Sequence, residues 1–251
     1  MKQTTRDKIR EEVVNFGKAS LATQYSIEDL KKAFPFHAVF FSDEGLRAFK
    51  EQRSLVTKMG LQLYPAIALY IARDKYSDAH PNYLIEGKAD TGMISTADRV
   101  LDDLRTGRRK PNLELELKEI QGRTSGKTSA YRVIADLYIV DYKPGPLFME
   151  IKSPRPNLDV CAESKKKMWY FRIMNEGKNP QAYLGFPYNP FVRRERYNHA
   201  FTKQIMDMDK EVLLGEDMWN KLGGSGTYDE LLEILEEAKS EPKKEIQTKP
   251  H

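Results

Sequence analysis

Ile134-Ala135-Asp136-Leu137-Tyr138-Ile139-Val140-Asp141 runs through Tyr142-Lys143-Pro144-Gly145-Pro146 into Leu147-Phe148-Met149-Glu150-Ile151-Lys152. The stretch from Val133 to Asp141 is rich in β-branched and aromatic residues and predicts a strand. Pro144-Gly145 suits the central pair of a type II turn, because Pro fixes φ and Gly accepts φ > 0. Leu147 to Lys152 resumes the strand. Side chains at i and i+2 of a strand share a face. Glu150 and Lys152 therefore point the same way, and Ile151 points to the other side, where a core would want it.

A carboxylate from each strand can hold a divalent cation. Mg²⁺ prefers oxygen ligands and keeps several waters, so two carboxylates and a phosphate suffice. Such a metal polarises a scissile phosphate and acidifies a bound water. Lys152 can orient or deprotonate that water, or stabilise charge on the pentacovalent phosphate. The competing reading is an ordinary hairpin with solvated charges, since Glu-x-Lys alone is common. Which acid completes the set is open. Regular pairing of Asp141 with Phe148 puts Asp141 on the face of Glu150 and Lys152. Asp136 reaches that face through a connection of odd length or a bulge, a device often found beside active sites. Asp136, followed by the apolar strand, is preferred.

The spacing Asp136…Glu150-x-Lys152 resembles the PD-(D/E)XK nuclease superfamily, with Ala135 where Pro is usual. Four further segments are similar, in their order, to the TdeIII family of type II restriction endonucleases. They are Phe49-Lys50-Glu51-Gln52-Arg53-Ser54-Leu55, Gln181-Ala182-Tyr183-Leu184-Gly185-Phe186-Pro187-Tyr188-Asn189-Pro190, Trp219-Asn220-Lys221-Leu222-Gly223-Gly224 and Thr227-Tyr228-Asp229-Glu230-Leu231-Leu232. The resemblance implies Mg²⁺-dependent cleavage of double-stranded DNA at a short palindrome of the GGNCC kind, by a homodimer. It also implies that Glu51, on an early helix, joins Asp136 and Glu150 at the metal. Without it, a solvated helical Glu is the better reading.

Composition sets bounds. The 251 residues, 40% hydrophobic and 31% charged, suit a single globular domain over residues 1–239 with a polar tail over 240–251. No apolar run reaches the ~18 residues expected of a membrane span. The first residues, MKQTTRDKIREEVV, lack the apolar core of a secretory signal. Cys161 is the single cysteine, so no internal disulfide forms and a cytoplasmic location is expected. With four scattered His, a Cys/His zinc site is excluded.

The net charge of +4 is unevenly spread. Lys152 to Lys203 carries 11 Lys/Arg against 4 Asp/Glu, and Asp207 to Glu237 carries 2 against 10. A basic stretch beginning at the catalytic motif suits a polyanion. Candidate phosphate contacts are Arg108 and Arg109 in a Gly/Pro-bounded loop, Lys127, and Lys165 and Lys166 on a helix over Asp159–Met174. Arg193, Arg194 and Arg196 are candidates for gripping guanine edges. Each could equally be a solvated surface charge. Gly122-Arg123-Thr124-Ser125-Gly126-Lys127-Thr128 is one residue short of GxxxxGK(S/T) and leads into a strand, so no nucleotide site is expected.

The rest of the chain reads as a helix over 4–16, a capped turn at Ser26, a helical region from Asp43 to about Ala72 broken near Gly60 and bent near Pro65, and an irregular segment over 74–95. Then come a helix over Thr96–Leu104 capped by Ser95 or Thr96, a strand over Ala182–Phe186, and helices over 199–214 and 228–239. The expected architecture is α/β, a restriction-endonuclease-like mixed β-sheet flanked by helices. The alternatives are a repair or junction-resolving nuclease of the same superfamily and a non-catalytic DNA-binding protein.

Overall fold

The structure, a computed structural model, describes residues 1–21 and 25–239; the polar tail lies outside them. Backbone contacts divide the chain into two compact units, Met1–Ile67 with the chain from Asp229 on, and Ala68–Tyr228.

The first unit is helical: α1 (Gln3–Leu21), α2 (Ile27–Ala33), α3 (Pro35–Phe40) and α4 (Asp43–Lys58). Ser26 and Ser42 cap α2 and α4 by accepting from Asp29 N and Gly45 N. After α4 the helix widens to a π-turn over Met59–Leu63 and resumes as α5 (Tyr64–Lys75). Pro65 explains the defect, because its ring removes one N–H and crowds the preceding turn. By length and composition, Asp43–Lys75 contains a window apolar enough to cross a membrane; the polar residues within it hid this in the sequence. Its Leu63, Ile67, Ala68, Ile71 and Ala72 are buried in the protein. The N-terminal amine meets Glu230 at 2.7 Å.

The second unit is built on a mixed five-stranded sheet in the order β1 (Ala79–Asp90), β2 (Thr128–Ile139), β3 (Leu147–Ile151), β4 (Gln181–Phe186), β5 (Val212–Leu214). β1–β2 and β2–β3 are antiparallel, and β3–β4 and β4–β5 are parallel. Between the strands lie α6 (Thr91–Arg105), α7 (Leu113–Gln121), α8 (Leu158–Met174) and α9 (Ala200–Ile205), followed by α10 (Glu216–Gly223); α11 (Thr227–Ala238) comes next and from Asp229 on belongs to the first unit. α8 connects the parallel pair β3–β4 and packs on the sheet. Phe171 stacks on Phe148 at 5.2 Å and meets Tyr138 edge-on at 5.9 Å. α10 closes against the sheet where Gly185 leaves room for Met218; a Cβ there would lie 2.9 Å from its sulfur.

Several expectations are corrected. Residues 79–90 form a strand, not an irregular segment. Most of its middle is exposed, so no hydrophobic alternation marks it. α6 begins at Thr91 with Asp90 as its cap, accepting from Gly92 N and Met93 N. Asn157, not Asp159, caps α8, and Asp159 instead pairs with Arg105 at 2.7 Å. The region expected as one helix over 199–214 is a short helix and an edge strand. Lys143–Pro144 is cis and Gly145 has no positive φ, so the connection is not a type II turn. Gly145 is required for space: a Cβ would lie 2.1 Å from the Lys178 carbonyl oxygen.

Two acids fasten the β1–β2 ribbon at its opposite ends. Asp90, ending β1, accepts from Ser125 N and Gly126 N, both at 2.9 Å, just before β2. The glycine-rich loop thus spends its N–H groups on this carboxylate, which they hold below the usual carboxylate range. Asp141, just after β2, accepts from Ser77 N at 2.9 Å and Ser77 Oγ at 2.8 Å, just before β1.

Candidate active site

The β2–β3 register bears on which acid lies near Glu150. Tyr138 pairs with Phe148 and Leu137 with Met149, where the ladder ends; extended by one position, this register brings Asp136 level with Glu150. The connection over 140–146 has an odd number of residues, the condition under which Asp136 reaches the face of Glu150 and Lys152. Asp141 is engaged at Ser77 instead.

Lys152 Nζ lies 2.5 Å from Asp136 Oδ2 and 3.0 Å from Glu150 Oε2. Ile151 N donates to Asp136 Oδ2 at 2.7 Å. Glu150 is 1% exposed, against 21% for Asp136 and 28% for Lys152. Burial holds the Glu150 carboxyl above the usual carboxylate range; Asp136 adds to this, and Lys152 and Lys167 oppose it. Burial also works against the Lys152 charge, but Glu150 and Asp136 outweigh it and raise the ammonium above the ordinary lysine value. In this form Lys152 is a cation that donates hydrogen bonds and keeps its proton.

Lys167 was read from the sequence only as the third cation of the basic turn that begins at Lys165, not as a neighbour of Glu150. It reaches from α8 to Glu150, 3.2 Å from Oε1 and 3.3 Å from Oε2. Its signal was present, since it lies one turn before Phe171, on the stripe that faces the sheet.

The donor set fits a hard cation. Among the described residues no group of three or more His, Cys, Asp or Glu side chains could hold a metal. The Asp136–Glu150 pair supplies two carboxylates and leaves the remaining positions to water and phosphate, the arrangement Mg²⁺ favours.

The other predicted residues are scattered. Glu51 is exposed on α4, in the first unit. Lys165 is fully buried between Glu116, at 2.6 Å, and Glu211, so it cannot meet a phosphate. Arg194 binds Asp217 at 2.8 Å and the carbonyls of Met208 and Val212, which makes it a tie within the unit. Arg108 pairs with Asp102 and Asp103, and Arg109 with Glu119. Lys127, Arg193 and Arg196 are exposed. Lys166 lies 3.2 Å from Asp98 and over the Tyr170 ring.

The model of the HinfI family, type II restriction endonucleases, matches residues 1–239; the motif order had suggested TdeIII. Type II restriction enzyme HgiEI of Herpetosiphon aurantiacus is 33% identical over 215 residues, 83% of this chain and 77% of that protein. HgiCII of the same organism is 31% identical over 235 residues, 91% of this chain and 85% of that protein. Type II restriction enzyme MjaII of Methanocaldococcus jannaschii is 28% identical over 267 residues, covering 91% and 69%. No solved structure gives a significant match. The mixed sheet with flanking helices accords with a restriction-endonuclease fold, and the chain belongs to the HinfI family of type II restriction endonucleases, site-specific deoxyribonucleases.

Proposed function

We propose that this enzyme cuts both strands of cytoplasmic duplex DNA at a short palindrome, of the GGNCC kind the TdeIII-like segments imply, with Mg²⁺ held by Asp136 and Glu150. The observation that carries the reading is the placement of Asp136 opposite Glu150 with Lys152 bridging them. A bound Mg²⁺ would polarise the scissile phosphate and acidify its water. Glu150 is buried and held by Lys152 and Lys167, so it fixes position. Asp136 is anchored by the Ile151 amide. Lys152, held as an ammonium, donates to the water or to the phosphate oxygen that gains charge. A homodimer reads a palindrome most simply, one subunit on each strand. Arg193 and Arg196 are the candidates for base contact.

The test is digestion of a plasmid of known sequence, in Mg²⁺ and in EDTA, beside Lys152→Ala. A discrete ladder that needs Mg²⁺ and vanishes in the variant is expected, and mapping its ends gives the site. A smear would replace site recognition with non-specific cutting. Cleavage that survives EDTA would sink the metal reading.

A further inference from the structure

Beside the carboxylate pair lies a cavity of about 450 Å³ that the mechanism above leaves unused. Its floor is the β1–β2 ribbon, with Leu84, Val133, Ile134 and Arg132, and its wall is α8, with Lys166 and Lys167; Glu163 and Tyr170 complete the lining. Leu84 and Ile134 are register partners and stay 45% and 50% exposed, a high value for apolar side chains in the middle of a paired ribbon. Arg132 and Ile134 alternate along β2 and so share one face. The floor therefore runs from Arg132 over the apolar pair, and Lys167 on the wall links it to the carboxylate pair. Lys167 belongs to both places, lining the cavity and touching Glu150.

We infer that this cavity seats the nucleotide of the substrate strand next to the cut. Its phosphate lies against Arg132, Lys166 and Lys167, and its deoxyribose and base rest on Leu84 and Ile134. The inference rests on the nuclease reading above and adds where the strand runs. Charge and surface agree. Three cations face the cavity against one lining carboxylate, Glu163. Asp98, outside the lining, holds Lys166 at 3.2 Å and accepts from the Tyr170 hydroxyl at 3.0 Å. Arg132 makes no ion pair among the described residues. Cationic walls over an apolar floor match a strand that presents phosphates on one side and sugar and base on the other. A second open cavity continues along the ribbon from Arg132 past Lys88, so the path extends beyond one nucleotide.

The experiment measures metal-free binding of a fluorescein-labelled, mixed-sequence duplex cut from the digested plasmid, by anisotropy in EDTA. It uses the full chain and the variants Ile134→Glu, Leu84→Glu, Glu163→Gln and Lys210→Glu, with a melting curve for each. Ile134→Glu and Leu84→Glu should weaken binding by about ten-fold or more, Glu163→Gln should tighten it about three-fold, and Lys210→Glu, outside the cavity, should stay within about two-fold. In cleavage assays the first two should raise KM far more than they lower kcat. Should one apolar-to-Glu variant fail to fold, the other and Glu163→Gln decide. Wild-type affinity in the folded groove variants would overturn the inference. Failure of the wild type to cut in Mg²⁺ would instead overturn the nuclease reading, which the binding series does not measure.

Discussion

Two clusters in the second unit use the same residue types to opposite ends. In one, Lys152 bridges Asp136 and Glu150, with Lys167 behind. In the other, Lys165 bridges Glu116 and Glu211. Lys165 and Lys167 stand two residues apart on α8 and face different ways. The difference is access. Lys165 and its acids are 0–1% exposed, whereas Lys152 and Asp136 keep 28% and 21% of their surface open. A sealed cluster can only hold the protein together, while an open one can exchange its internal cation for a metal and a phosphate. The presence of a Glu–Lys–acid triad therefore says nothing about function until its path to solvent is known.

The largest effect should separate the clusters by readout. Glu150→Ala or Lys152→Ala should lower the cleavage rate about 10³-fold or more, roughly 4 kcal/mol of barrier, with the melting temperature little changed. Lys165→Ala should leave two buried carboxylates facing each other and cost about 3–5 kcal/mol of stability. Calorimetry should show that as a drop of roughly ten degrees. If Lys165→Ala instead cut poorly while melting normally, the comparison would collapse.

A sharper version removes all the charge at once. Lys165→Met with Glu116→Gln and Glu211→Gln should regain most of the lost stability, because no buried charge is left unpaired. The amides still accept from Asn112 N and Asp207 N, which now donate to Glu116 and Glu211 at 2.8 Å. No equivalent repacking should restore activity to the open cluster.

Titration gives a smaller signal. Burial raises the Glu211 carboxyl above its ordinary value and Glu116 adds to this, against the pull of Lys165. The folded protein thus holds that proton more tightly than the unfolded chain. The resulting stability is full below the unfolded carboxylate value and fades as pH rises through the folded one. Melting curves of Glu211→Gln from acid to neutral pH should show a less negative slope than wild type; equal slopes would mean the sealed cluster carries no extra proton. The smallest effect is expected at Lys31, whose pair with Asp43 is about half exposed. Lys31→Ala should cost under about 1 kcal/mol.

What the sequence told and withheld follows from the range of the forces involved. The β2–β3 hairpin, β4, α8 and α11 were legible because apolar runs and turn residues mark them locally. Asp136, Glu150 and Lys152 came with the hairpin, and the parity of the connection governs whether Asp136 or Asp141 lies beside Glu150. β1 was invisible because most of its middle is exposed and its register partners on β2 lie 38 to 60 residues further along the chain. β5, with three residues, is too short to carry a pattern. Of the consecutive Lys165, Lys166 and Lys167, the sequence could not say which faced where. That depends on how α8 is turned about its axis, which the packing of Phe171 on Phe148 and Tyr138 sets.

Asp90 and Asp141 touch no substrate in this scheme, yet they guard the reaction against an error of counting. A slip of one residue along β2 would turn Asp136 away from Glu150 and swap every side chain to the opposite side of the sheet. Hydrophobic partners alone resist such a shift weakly in a ribbon this polar. With each strand's end pinned by a carboxylate to the other strand's beginning, the ribbon has one permitted alignment. A misaligned ribbon would part the two carboxylates of the site, so these acids outside it hold its geometry from both ends of the ribbon.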